Sequence, residues 1–250
     1  MSQSFPWITA HSGCMNKPDN TLASAEIALQ LGADIVEDDI RITSDGILVL
    51  AHDDEIQLPN GTIYHISQMT YSELSELDIL ARSGTVPATI RLATLESFLQ
   101  LIKAVGKIAN LDLKADECIK PVSDLVEKYQ MLEQVIVSGC EAERAMKVNQ
   151  INPKLRKLLN ANIELFLSLD YEEAVEITCN DALAANCMGI NIEYRLVKTK
   201  LLEAAWNKNL PILVWTVNDE IEMKRMVEMG VHSITTRNLQ TLIDLKQLRV

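Results

Sequence analysis

Aromatic residues are scarce, at 4% of a 250-residue chain, so Leu, Ile, Val, Ala and Met must fill a core whose apolar fraction is 48%. That composition suits buried parallel strands covered by helices. Five cysteines (Cys14, Cys118, Cys140, Cys179 and Cys187) are an odd number with no CxxC pair and no zinc-like spacing. They read as small buried apolar residues in a reducing compartment rather than as a disulfide framework. Positive charge is in deficit too: 23 Lys and Arg against 35 Asp and Glu give a net charge of −12. This argues against a nucleic-acid backbone or an anionic membrane surface as partner. No apolar run approaches the ~20 residues of a membrane span. The polar segment 1–6 lacks a basic stretch followed by a long apolar one, so no signal peptide is expected. The expectation is a soluble, cytoplasmic protein with no membrane insertion. An anionic small-molecule substrate would then need its charge offset locally, and a bound cation is the simplest device. The sequence leaves homo-oligomerisation open.

What is present is alternation. Apolar runs at 7–10, 35–42, 108–113, 134–137, 155–159, 188–192, 211–217 and 231–235 read as strands. Helical spacing lies between them. Asn20 is the expected N-cap of the first helix, which Gly32 ends, and Thr94 that of the second. Helices are also expected at 117–129, 141–149, 172–185, 197–206, 218–229 and 239–248, whereas 161–169 takes no assignment. Asp45-Gly46 is a hairpin turn signal after the second strand, with 47–51 returning from it. Eight strand–helix units in a chain of this length predict an α/β fold, a (β/α)8 TIM barrel spanning 1–250 as a single domain. A doubly wound sheet would call for a glycine-rich phosphate loop after the first strand, and none is there. An insertion is expected at 53–92, where the pattern loosens: a turn at Pro59-Asn60-Gly61, a short helix over 71–80 and a loop at Ser83-Gly84.

Polar residues gather where these strands stop. His11 follows the first run. Glu37 and Asp39 sit two apart on the second, so both leave one face, while Asp38 points the other way. Two converging carboxylates repel unless a proton or cation intervenes, and an all-oxygen ligand set suits Mg2+ or Ca2+. With a two-residue turn at Asp45-Gly46, Ser44 faces Ile47, which sets Asp39 opposite His52 unless a bulge shifts the register. Asp112 and Lys114 share a face at the end of the third barrel strand: a third carboxylate for a cation, and a point charge for a phosphate. His65 and His232 lack such company and read as structural.

Together, the His11 segment, Pro18-Asp19-Asn20-Thr21, Gly32-Ala33-Asp34, Glu37-x-Asp39, Asp45-Gly46 and His52-Asp53 resemble the glycerophosphodiester phosphodiesterase family in order and spacing. So do Asn110-Leu111-Asp112-Leu113-Lys114, Trp215-Thr216-Val217-Asn218 and the segment 230–235, which extends the resemblance over essentially the whole chain. The resemblance implies a (β/α)8 barrel and a divalent cation, Mg2+ or Ca2+, on Glu37, Asp39 and Asp112. It implies His11 and His52 as general acid and base, Lys114 on the phosphate, and Trp215 on the wall beside the glycerol or alcohol. The implied reaction is hydrolysis of a small-molecule glycerophosphodiester to glycerol 3-phosphate and an alcohol.

Three positions depart from the pattern. Ser12 stands where the family has an Arg that grips phosphate, Asp112 replaces a Glu, and Thr235-Thr236-Arg237 replaces a usual Asp. The related phospholipase D toxins also lack that Arg and use an Asp-x-Lys strand. The alternatives are therefore a diverged barrel acting on a lysophospholipid or another phosphodiester, and a catalytically weak phosphate-ester binder.

Overall fold

Eight parallel strands close into a barrel: β1 Trp7–Ala10, β2 Ile35–Ile42, β3 Ile108–Leu113, β4 Val135–Ser138, β5 Arg156–Asn160, β6 Gly189–Glu193, β7 Ile212–Trp215 and β8 Ser233–Thr236. The description is from a computed structural model and covers residues 4–83 and 88–248. The sequence readings for residues 1–3 and Gly84 lie outside the described residues. Neighbours pair in chain order, and β8 closes the ring on β1 with Trp7 beside Ser233 and Ala10 beside Thr236. The strands are followed by α1 Leu22–Leu31, α2 Leu95–Val105, α3 Ile119–Lys128, α4 Ala142–Ile151, α5 Tyr171–Ala184, α6 Thr199–Asn207, α7 Glu220–Met229 and α8 Leu239–Gln247. The barrel expected from the alternation is what forms, and the unassigned stretch before α5 holds a short helix, Ile163–Ser168.

Strand periodicity sorts the side chains. One set faces the helices: Leu111, Leu113, Val135 and Val137 join Leu95, Phe98, Leu99 and Ile102 of α2 in a continuous buried core. The other set faces the barrel axis. At the N-terminal end it forms a plug of Ile136, Leu158 and Leu213 with Ile108 and Met188 against it. Two residues farther along the same strands stand Asn110, Ser138, Asn160 and Trp215, which line a cavity at the C-terminal end. All five cysteines are buried and free. Among the described residues, no helix is long and apolar enough to cross a membrane.

Two local expectations are corrected. The hairpin after β2 pairs Ile40 with Leu50 and Ile42 with Leu48 of the return strand Leu48–Leu50. Thr43 N donates to Ile47 O at 3.0 Å, and Gly46, at φ +83°, fills the left-handed position of a three-residue loop. The extra residue shifts the register by one, so Asp39 faces Ala51, whose N–H donates to its carbonyl at 3.0 Å, instead of His52. Likewise Thr21, not Asn20, caps α1, its Oγ1 accepting from Ser24 N. Asn20 lies at φ +57°, and its side chain turns inward to the carboxylates of β2.

The stretch between the return strand and α2 forms two small antiparallel pairs, Glu55–Gln57 with Ile63–His65 and Ile79–Leu80 with Thr89–Ile90. Its helix is shorter than expected, Tyr71–Ser75, because Ile79 and Leu80 are taken up by strand pairing. Ile56, Ile66, Leu74, Ile79 and Leu92 pack on Val49 and Ala51 as a separate small core. Together they set His52 and Arg82 at the rim of the barrel.

Candidate active site

The strand register assembles the acidic centre. Asp39 on β2 is the direct neighbour of Asp112 on β3, and Glu37 lies one inward-facing position below Asp39. One oxygen from each of these three carboxylates lies within 4.8 Å of the others. Lys114, two residues past Asp112, places Nζ 2.8 Å from Asp39 Oδ1 and 3.2 Å from Asp112 Oδ2. Close approach by β4 completes the wall: a Cβ on Gly139 would sit 2.1 Å from Asp112 Oδ1, so that position admits only glycine.

Three carboxylates against one ammonium leave an excess of negative charge in a nearly buried site. Burial, then the Asp39 and Asp112 charges, push the Glu37 carboxyl well above its usual range. Burial also raises Asp112. At Asp39 burial acts in the same direction, but the ion pair with Lys114 and the amide of Asn20 outweigh it and lower the carboxyl. Lys114 is itself raised, because Asp112 and Asp39 outweigh its own desolvation. Such a cluster asks for a cation, and its all-oxygen donors fit a hard divalent ion.

Two histidines flank it. His11 Nδ1 lies 2.8 Å from Ser12 O. A carbonyl can only accept, so Nδ1 carries a proton, and in the neutral ring Nε2 keeps its lone pair. Burial lowers the His11 pKa, opposed by that same hydrogen bond. His52, half exposed at the rim, has Nδ1 2.8 Å from Asp53 Oδ1 and 3.2 Å from Arg82 Nη1, and Asp53 also pairs with Arg82. The register shift therefore does not remove His52, since its ring still lines the cavity.

His11, Glu37, Asp39, His52, Asp112, Lys114 and Trp215 all line one cavity of about 410 Å³. Within it the buried atoms Asn110 Oδ1, Ser138 Oγ and Trp215 Nε1 find no partner among the described residues. An unpaired buried donor or acceptor is costly, and three around one cavity, two on adjacent β3 and β4 and one across the barrel on β7, are what a polar ligand would satisfy. Sequence reasoning missed Ser138, Asn160 and Asn191, although each is a polar residue near the end of an apolar strand and could have been found by that signal. It also missed Arg144, which reaches the cavity wall from α4 while Nε donates to Asp116 and Nη1 to the carbonyls of Leu113 and Gly139. Arg237 is turned away, paired with Asp19 Oδ1 at 2.5 Å. His65 pairs with Asp54 at the surface, and His232 Nδ1 accepts from Ile212 N at the far end of the barrel.

Ser12 is 2% exposed and points away from the cavity. Its N donates to Glu37 Oε2 at 3.2 Å, and its Oγ accepts from Asn20 N at 2.7 Å and donates to Asp38 Oδ1 at 3.3 Å.

Residues 9–241 match the model of the glycerophosphoryl diester phosphodiesterase family. A glycerophosphodiester phosphodiesterase of Caldanaerobacter subterraneus subsp. tengcongensis is 27% identical over 244 residues, covering 95% of this chain and 96% of the relative. A lysophospholipase D of Homo sapiens is 22% identical over 262 residues, covering 92% of this chain and 82% of that protein. A phosphodiesterase of Oleispira antarctica, solved in complex with sn-glycerol-3-phosphate, has the same fold: TM-score 0.78 at 21% identity, covering 96% of this chain and 97% of the other. The chain belongs to the glycerophosphoryl diester phosphodiesterase family.

Proposed function

We propose that this family member hydrolyses glycerophosphodiesters to glycerol 3-phosphate and an alcohol in a divalent-cation-dependent reaction. The observation that carries the proposal is the convergence of three carboxylates, two histidines and a lysine on one cavity at the C-terminal end of the barrel. Glu37, Asp39 and Asp112 would hold the cation, Mg2+ or Ca2+, which when bound supplies Lewis-acid stabilisation of phosphate charge. Lys114 contributes a point charge to the phosphate from the same wall. Neutral His11 takes the proton of the attacking oxygen at Nε2, and His52, oriented by Asp53, delivers a proton to the leaving alkoxide. Trp215 bounds the space for the glycerol or alcohol, and its unpaired Nε1 offers a donor there.

Release of glycerol phosphate from glycerophosphocholine and glycerophosphoethanolamine, with and without a chelator, tests this reading. Turnover abolished by the chelator and restored by Mg2+ or Ca2+ is the expected result. Turnover that survives the chelator overturns the cation dependence, and none on either substrate overturns the reaction.

A second reading changes the substrate to a lysophospholipid. It is favoured by Ser12 in the place of the phosphate-gripping Arg and by the human lysophospholipase D among the relatives. A phosphodiester panel on which glycerophosphodiesters alone are cleaved counts against it.

A further inference from the structure

We infer that Ser12, Asn20 and Asp38 form a buried positioning unit that fixes the carboxylate of Asp39 for cation binding. This rests on the cation reading above and assigns Ser12 to the support of the ligands instead of to the substrate. Asp38 leaves the face of β2 opposite Glu37 and Asp39 and is 1% exposed. Among the described residues it has no salt-bridge partner. Its Oδ1 instead gathers Asn20 Nδ2 at 2.7 Å, Asp39 N at 3.0 Å and Ser12 Oγ at 3.3 Å. A buried carboxylate without a cation is costly, and three donors on one oxygen offset only part of that cost against burial and the neighbouring Asp39 charge.

Asn20 is the bridge. Its amide nitrogen has two hydrogens, and both are used: one on Asp38, the other on Asp39 Oδ2 at 2.9 Å. Lys114 holds the opposite oxygen, Oδ1, at 2.8 Å. The plane of the Asp39 carboxylate is therefore set from both sides, from behind by Asn20 and from the cavity by Lys114. Asn20 in turn is held by its left-handed backbone and by its N–H on Ser12 Oγ. Because Ser12 N also holds Glu37, one small buried cluster orients two of the three candidate ligands. Partners of this kind behind metal ligands commonly account for about 10- to 100-fold in metal affinity.

The left-handed backbone selects the variant. Glycine accepts φ near +57° without steric cost, so Asn20→Gly removes the amide and leaves the loop geometry intact. Isothermal titration of Ca2+ and of Mg2+ into the full chain, without substrate, is the measurement. Asn20→Gly is expected to weaken the cation Kd about 10-fold or more. In turnover, raised cation should recover much of kcat with the substrate KM little changed. Ser12→Ala, which spares the amide, should lose about 2- to 5-fold, short of the range for a direct partner. A cation Kd within 2-fold of the parent in folded Asn20→Gly, whatever its melting temperature, overturns the inference, because a merely structural residue moves stability and not affinity. Should Asn20→Gly fail to fold, Asn20→Asp keeps the side-chain shape and replaces the donor with an acceptor, and the same two outcomes apply to it. A parent chain that takes up neither cation sinks the cation reading, and the positioning role with it.

Discussion

The two ends of the barrel are built from the same strands by opposite rules. At the N-terminal end Ile136, Leu158 and Leu213 meet on the axis and need nothing but each other. Two residues farther along, Ser138, Asn160 and Trp215 stand at the edge of a cavity where Glu37, Asp39 and Asp112 crowd together. One end contributes stability through burial, and the other spends it on like charges held close. The difference teaches that a change at either end should move one property and leave the other: rate above, stability below.

The largest effect is expected at Glu37. Glu37→Gln removes a carboxylate already pushed toward its neutral form by burial and by Asp39 and Asp112. Loss of a ligand that holds a charge-stabilising cation should cost several kcal/mol of barrier, about 1,000-fold in kcat/KM. The cation-free variant should nevertheless melt no lower than the parent at neutral pH, because a like-charge contact has gone. Rate assays beside calorimetry in the presence of chelator check both halves. The mirror image is Leu158→Ala in the plug, expected to cost about 2–5 kcal/mol of unfolding free energy while kcat per folded molecule stays within about 2-fold. Denaturant titration with active-site normalisation decides it, and a large rate defect would mean that the plug tunes the site.

The barrel was legible because its signal is repeated eight times. The apolar runs marked every strand, and the polar residues just past them marked most of the site. What was not legible lies in loops. A three-residue turn with Gly46 in the left-handed position resembles a two-residue turn in sequence, so Asp39 was set against His52 instead of Ala51. His52 still reaches the cavity because the small core at 51–92 positions it, a tertiary cause that no local pattern carries. Asn20 looked like a cap because Asn commonly is one. Its inward turn depends on the buried Asp38, on a different element.

A pair of histidines sharpens the comparison with pH. Burial lowers the pKa of His11 above and of His232 below. For each, the unfolded chain binds the proton more readily than the folded one. The stability each contributes is therefore present above the ordinary histidine value of about 6.5 and is lost as pH falls through the lower folded pKa. Of these two, His11 alone touches the cavity, so it and not His232 should appear in the rate: an acid limb of kcat/KM below pH 6.5, which a bound cation would push lower still. A His232→Asn variant should keep that limb while losing part of the acid sensitivity of its melting temperature. If the limb moves with His232, the two ends are not independent.

The smallest effect is expected at the outer rim of the lower end. Trp206 is 75% exposed and lines, with Trp7, an apolar depression that also includes Phe5, Leu202, Leu210 and Met229. A side chain that leaves most of its surface in water adds little burial energy, so Trp206→Ser should change unfolding free energy by no more than about 0.5 kcal/mol. It should leave turnover unchanged, because the plug of Ile136, Leu158 and Leu213 separates this rim from the cavity. Parallel measurement of melting and of glycerol phosphate release is sufficient. A turnover change without a stability change would show that the lower rim is coupled through the plug to the carboxylate cluster. The division of labour between the two ends would then fail at its most exposed point, where burial gives the least reason to expect any effect.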